Sequence, residues 1–290
     1  MRGVSRTTFS FSILIALLAA IASAAGLFVD GLYRDNTWVS SQLRGNDLVT
    51  LVVAVPLLVA GLVLGRRGSL RGRLVWLAML GYMLYGYVFY LFGSALNVCF
   101  LLYVALCSLS IFTLILALRD LAVEALVQHF SPKLPVRWVS GYMVVVAGFL
   151  GFLWLSQVVS FMASGVVPDA VTRSGSPTAI VYAVDLTLMV PAMLLGAVLL
   201  WRRQAWGYVL ASILTVKGVA YPLALLAMSL FASQAGVPDA WDLAPLWAFL
   251  GALGLVAVWF TYRGLQPSAV ASTSRTASRK AARRAARAAH

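Results

Sequence analysis

Residues 48–65 read Leu48-Val49-Thr50-Leu51-Val52-Val53-Ala54-Val55-Pro56-Leu57-Leu58-Val59-Ala60-Gly61-Leu62-Val63-Leu64-Gly65, and Arg66-Arg67 follow. The run carries no charge until the two arginines close it. A helix rising about 1.5 Å per residue needs roughly 20 apolar residues to cross about 30 Å of hydrocarbon. An apolar run of this length with a basic stop reads as a membrane span whose arginines sit at the water boundary.

Outward from this stretch the pattern recurs. The spans run approximately over 9–29, 48–65, 74–94, 98–118, 138–162, 178–201, 205–230 and 245–262. No run alternates with a period of two, which excludes a β-barrel. The whole chain agrees: of 290 residues, 62% are hydrophobic and 11% charged, with a mean hydropathy of +0.92. Soluble domains carry about a quarter charged residues. The composition therefore excludes an ordinary soluble protein, a nucleic-acid-binding domain and a disordered chain. The expected fold is an all-α integral membrane protein of eight transmembrane helices over residues 1–263. Residues 264–290 read as a basic, disordered cytoplasmic tail.

The net charge of +13 comes from 22 Lys and Arg against 9 acids. Sorted by loop, the basic residues fall on one side. That side holds Arg2, Arg6, Arg66, Arg67, Arg71, Arg73, Arg119, Lys133, Arg137, Arg202, Arg203, Arg263 and six in the tail. The other side holds Arg34, Arg44 and Arg173. The positive-inside rule then places both termini in the cytoplasm of a cell inner (plasma) membrane. Asp30, Asp35, Asp47, Asp169, Asp239 and Asp242 fall on the outer side. Met1–Gly26 has a second reading, a secretory signal ending near Ala22-Ser23-Ala24. The apolar run reaches Val29, long enough to span, so a retained helix is expected.

The two halves echo each other. Pro56, Gly61 and Arg66-Arg67 in the second span match Pro191, Gly196 and Arg202-Arg203 in the sixth. Asp47 and Asp185 precede their prolines by unequal distances and align only with a gap. Two parallel four-helix repeats, related by an axis along the membrane normal, would follow.

Ionisable residues inside a span are costly and mark functional positions. Asp185 in span six and Lys217 in span seven are expected at matched depth, in reach of a buried ion pair. A cavity where a substrate or ion competes for that pair is one reading, and a structural bridge that fixes helix register is the other. Span three adds a tyrosine-rich stretch, Gly81 to Gly93, in which Tyr82, Gly86, Phe89 and Gly93 share one face. Buried tyrosines need partners for their hydroxyls. Tyr82, Tyr85, Tyr103 and Asn97 are therefore candidates for lining a polar pocket, with plain aromatic packing as the alternative. Cys99 and Cys107 are too far apart on one helix to pair. No metal-ligand motif occurs, and no metal or cofactor is expected. A retinal lysine at 217 is disfavoured, because Ile213 stands one turn earlier where an acid is expected.

Residues 121–130 read as a short interfacial helix ended before Pro132. In the tail, Arg279, Arg283 and Arg287 share one helical face, flanked by Lys280 and Arg284. Attraction to anionic lipid headgroups is the role expected of them. Nucleic acid is not expected as a partner, since no aromatic platform accompanies the charge.

The segment from Gly45-Asn46-Asp47-Leu48-Val49-Thr50-Leu51 through Tyr90-Leu91-Phe92-Gly93 resembles a family of uncharacterised bacterial multi-pass membrane proteins. The resemblance covers spans two to four and touches six and seven. It implies a cell-membrane location and no activity. Three functions remain in view. They are a small-solute or ion transporter using Asp185 and Lys217, a membrane-embedded enzyme or redox subunit with a tyrosine pocket, and a non-catalytic assembly or sensory protein. The enzyme reading lacks haem-ligand histidines within spans and any nucleophile motif.

Overall fold

The computed structural model describes residues 4–265. Its helices are α1 (Arg6–Phe28), α2 (Thr37–Val49), α3 (Val55–Arg66), α4 (Leu70–Phe92), α5 (Phe100–Arg119), α6 (Val123–Val127), α7 (Val136–Ser164), α8 (Asp169–Ser174), α9 (Ile180–Val184), α10 (Val190–Trp201), α11 (Ala205–Gln234) and α12 (Ala244–Arg263). Two π-helical turns, Thr50–Ala54 and Asp185–Met189, join α2 to α3 and α9 to α10 without a break. Among the described residues, eight continuous helices are long and apolar enough to span a bilayer, so the chain is an all-α multi-pass membrane protein.

Helix starts follow local chemistry. Ser5, Asn36 and Ser69 each accept a hydrogen bond from the backbone N–H three residues on, which satisfies a donor the helix itself leaves free. Each π turn precedes a proline at the second position of the next helix, Pro56 and Pro191. A proline has no N–H and its ring crowds the carbonyl four residues back. The chain widens instead: Val55 N–H donates to Thr50 O, and Val190 N–H to Asp185 O, five residues back in each case.

From the second span into the third, the echo seen in the sequence falls on one register. Counterpart elements start 135 residues apart: Thr50 and Asp185, Val55 and Val190, Leu70 and Ala205. The turns that follow are also the same. Arg67 N–H donates to Val63 O as Arg202 N–H does to Val198 O, and Ser69 to Leu64 as Gln204 to Leu199. Gly72 and Gly207 then sit at one register, each against the end of the preceding helix: a Cβ on Gly72 would lie 2.9 Å from Gly65 N, and one on Gly207 closer still to Leu200. This register replaces the gapped pairing of Asp47 with Asp185. The counterpart of Asp185 is Thr50.

The third span of each half, α4 and α11, forms the centre, and these are the two most buried spans. The halves embrace reciprocally: α2 lies along α11, while its counterpart α9 touches α4. Each half holds four spans, so both begin on the same face, as in a parallel repeat.

Two boundaries differ from the sequence expectation. The second span begins at Thr37, not near residue 48, because Val39, Leu43, Asn46 and Thr50 continue one buried helical face. Asp47 therefore belongs to the span and not to an outer loop. The interfacial helix over 121–130 shrinks to α6. It tucks under the bundle instead of lying on the lipid surface, with Leu121, Leu126 and Phe130 buried and Phe130 4.9 Å from Tyr208. α1 packs on α2, α3 and α5, and Trp76 on α4 donates its indole N–H to Ser12 at 2.9 Å.

Candidate functional site

The π turn inside span six has Asp185 as its first residue, with its side chain buried in the protein. Lys217 lies mid-way along α11, and both side chains are only 4% exposed. Charge this deep needs partners. Tyr85 of α4 donates its hydroxyl to Asp185 Oδ1 at 2.7 Å, and Trp154 of α7 donates its indole N–H to Oδ2 at 2.9 Å. Trp154 is itself fixed by stacking on Tyr182, with ring centres 4.4 Å apart.

Lys217 does not reach the carboxylate. Among the described residues the ion pairs are Arg44–Asp30 and Arg173–Asp169, both outside this cluster. The Lys217 ammonium lies instead 3.3 Å from the centre of the Tyr85 ring and 4.8 Å from that of Tyr221. The expected direct Asp185–Lys217 bridge is thus replaced by a shared contact to Tyr85, whose hydroxyl meets Asp185 and whose ring face meets Lys217, because α4 touches both α9 and α11. The arrangement is cooperative. A phenol that donates to a carboxylate gains electron density on its ring, which strengthens its hold on a cation. Tyr221 packs edge-on against Tyr85, at 5.0 Å and 89°.

The repeat shows what is special here. Thr50 and Tyr82 occupy the positions of Asp185 and Lys217 in the first half, and Thr50 Oγ1 lies 3.5 Å from the Tyr82 hydroxyl. One half presents two hydroxyls where the other presents an acid and a base.

Sequence reasoning missed a second buried carboxylate, Asp47, 1% exposed. Tyr33 donates its hydroxyl to Asp47 Oδ2. Tyr90 accepts from Asn46 Nδ2 at 3.0 Å and donates to Asp47 Oδ1 at 2.9 Å. Tyr82 donates to Asn46 Oδ1 at 3.1 Å. A polar seam thus runs from Asp47 to Thr50 along α2. The signal that marks it in the sequence is Asn36 as a helix cap, followed by Val39, Leu43 and Asn46 at helical spacing. On the face opposite the arginine-closed turns, a cavity of about 380 Å³ is lined by Tyr33, Asp35, Ser40, Arg44 and Gln234 among others. Tyr33 touches both the cavity and Asp47. Burial, and after it the Asp47 charge, push the Tyr33 hydroxyl well above the usual phenol value.

The remaining candidates divide. Tyr82 belongs to the Asn46 seam and Tyr85 to the Asp185 cluster. Tyr103 joins neither carboxylate. It stacks on Tyr87 with ring centres 6.1 Å apart and lies 5.0 Å from Tyr90. Asn97 sits in the α4–α5 connection, where its Oδ1 accepts from Cys99 N at 2.9 Å and stabilises the turn. Arg279, Lys280, Arg283, Arg284 and Arg287 lie outside the described residues.

Fold and site together define a multi-pass membrane protein built from two four-helix halves, with charge buried where the halves meet. No family model, no curated protein and no solved structure matches the chain. Its function is argued from its own residues.

Proposed function

We propose that the chain is a small-solute or ion transporter of a bacterial cell membrane, with both termini cytoplasmic and its site at Asp185, Tyr85 and Lys217. The observation that carries this reading is a buried acid on the hydroxyl and a buried base over the ring face of one tyrosine, where α4 of one half meets α9 and α11 of the other. Groups held apart in this way each have a partner at rest, and each can exchange it for a substrate charge. Transporters built from repeats place substrate sites at the repeat contact, near the bilayer midplane. Lys217 is about 18 Å along α11 from its first residue, close to that midplane. The π turns support the reading, since such turns free backbone carbonyls within a span and cluster at functional sites.

The test is flux through purified protein in proteoliposomes, across a panel of small solutes and inorganic ions, with Asp185→Asn and Lys217→Met as variants. At least one flux is expected above empty vesicles, and both variants should lower it tenfold or more. If no flux exceeds empty vesicles, or if both variants transport like the wild type, the proposal fails.

A further inference from the structure

The two halves share one turn between their second and third spans, Arg67-Gly68-Ser69 in the first and Arg202-Arg203-Gln204 in the second. The turn passes through a left-handed backbone position, which is Gly68 in the first half, at φ +87, and Arg203 in the second, at φ +55. A glycine takes such a φ without strain, while a side chain there costs of order 1 kcal/mol or more. The same hydrogen bonds hold both turns, so the fold accepts a glycine at this position. An arginine in a strained conformation, where the repeat uses glycine, calls for a role in what its guanidinium touches.

Arg203 lines a cleft of about 390 Å³ between the start of α7 and the end of α10, together with Arg137 and Trp201. Arg137 lies 5.8 Å from the centre of the Trp201 ring. From this basic mouth an apolar track runs along α10 into the membrane: Trp201, Val198 and Leu194 share one helical face and are 56%, 47% and 40% exposed. Two guanidiniums at the level of the bilayer surface, an interfacial indole and an exposed aliphatic track below match a phosphate head and an acyl chain in one molecule.

We propose that this cleft is a binding site for an anionic phospholipid of the leaflet facing the arginine-rich surface, with the phosphodiester between Arg137 and Arg203 and an acyl chain along Leu194 and Val198. The site is built from residues other than those of the basic tail and does not depend on the transport reading.

The test uses the full chain in micelles, with bound lipid counted by native mass spectrometry during titration with phosphatidylglycerol or phosphatidylcholine of identical acyl chains. Variants are Arg203→Gly, Arg137→Gln and, as a control outside the cleft lining, Arg202→Gln. All carry the same tail, so differences report the cleft. Phosphatidylglycerol should bind the wild type in preference to phosphatidylcholine. Its affinity should fall about tenfold in Arg203→Gly and in Arg137→Gln, as for one lost charge-assisted contact, and stay unchanged in Arg202→Gln. Arg203→Gly should melt no lower than the wild type in phosphatidylcholine, because glycine relieves the strained φ. The proposal is overturned if both cleft variants keep wild-type affinity, or if Arg202→Gln loses as much as they do, which would mean diffuse charge. Equal binding of phosphatidylcholine overturns it as well, as does displacement of the lipid by inorganic phosphate alone, which would make free phosphate the ligand.

Discussion

Tyr85 is the residue on which the buried charges depend, and a double-mutant cycle with Asp185 measures how they interact. Tyr85→Phe deletes the hydroxyl that donates to Asp185 Oδ1 at 2.7 Å while leaving a ring beneath Lys217. Asp185→Asn keeps the shape of the acceptor and removes its charge. A hydrogen bond to a charged group contributes about 1.5–3 kcal/mol. Interhelical side-chain bonds between neutral groups in membranes average only about 0.6 kcal/mol. Tyr85→Phe should therefore cost about 1.5–3 kcal/mol in the wild-type background and about 0.6 kcal/mol in the Asp185→Asn background, a coupling of roughly 1–2 kcal/mol. Reversible unfolding in mixed micelles, followed by far-ultraviolet circular dichroism, reads all four corners of the cycle. A coupling of about 0.5 kcal/mol or less would show that Tyr85 and Asp185 meet as neutral groups, and the cluster around Tyr85 would lose its electrostatic basis.

The repeat register makes a paired expectation for glycine. Gly72→Ala and Gly207→Ala should each lower stability by about 1–3 kcal/mol, since each new Cβ meets the preceding helix. Gly148→Ala, in open space on α7, should leave the melting temperature unchanged or raise it. Tyr33 gives a pH dependence. Its folded value is raised above the unfolded one, so its contribution is complete below about pH 10 and is lost as the pH rises beyond. Alkaline titration of stability should consequently fall more steeply in the wild type than in Tyr33→Phe, and equal slopes would contradict the Tyr33–Asp47 contact. Orientation can be read with a membrane-impermeant maleimide in cells, on a background without Cys99 and Cys107. Thr172→Cys should label from outside, and Lys133→Cys only after the membrane is opened. The reverse pattern would invert the topology.

Much of the architecture is legible in one dimension. Spans are local objects: about 20 apolar residues in a row suffice to satisfy the bilayer, and the arginine stops mark their ends. The proline, glycine and arginine echo is local too, and the π turns give it physical content, because Pro56 and Pro191 each force the same widening before them. Asp185 and Lys217 stand out in the sequence because each interrupts an apolar run. Asp47 does not. It precedes the apolar run instead of breaking it, among Gly45 and Asn46, and only the packing of α2 along α11 draws that polar segment into the membrane.

The sequence by itself thus determined that this chain has eight membrane-spanning segments, with a proline, glycine and arginine echo between the second and the sixth and basic charge concentrated on one face. It also singled out which residues are too costly to bury without cause. Tertiary structure alone decided who meets whom. Depth along a helix can be counted from the sequence, but the angle at which a neighbouring helix presents its side chains cannot. A third helix, α4, passes beside both charges, so an expected salt bridge becomes an acid on the hydroxyl and a base over the ring of one tyrosine.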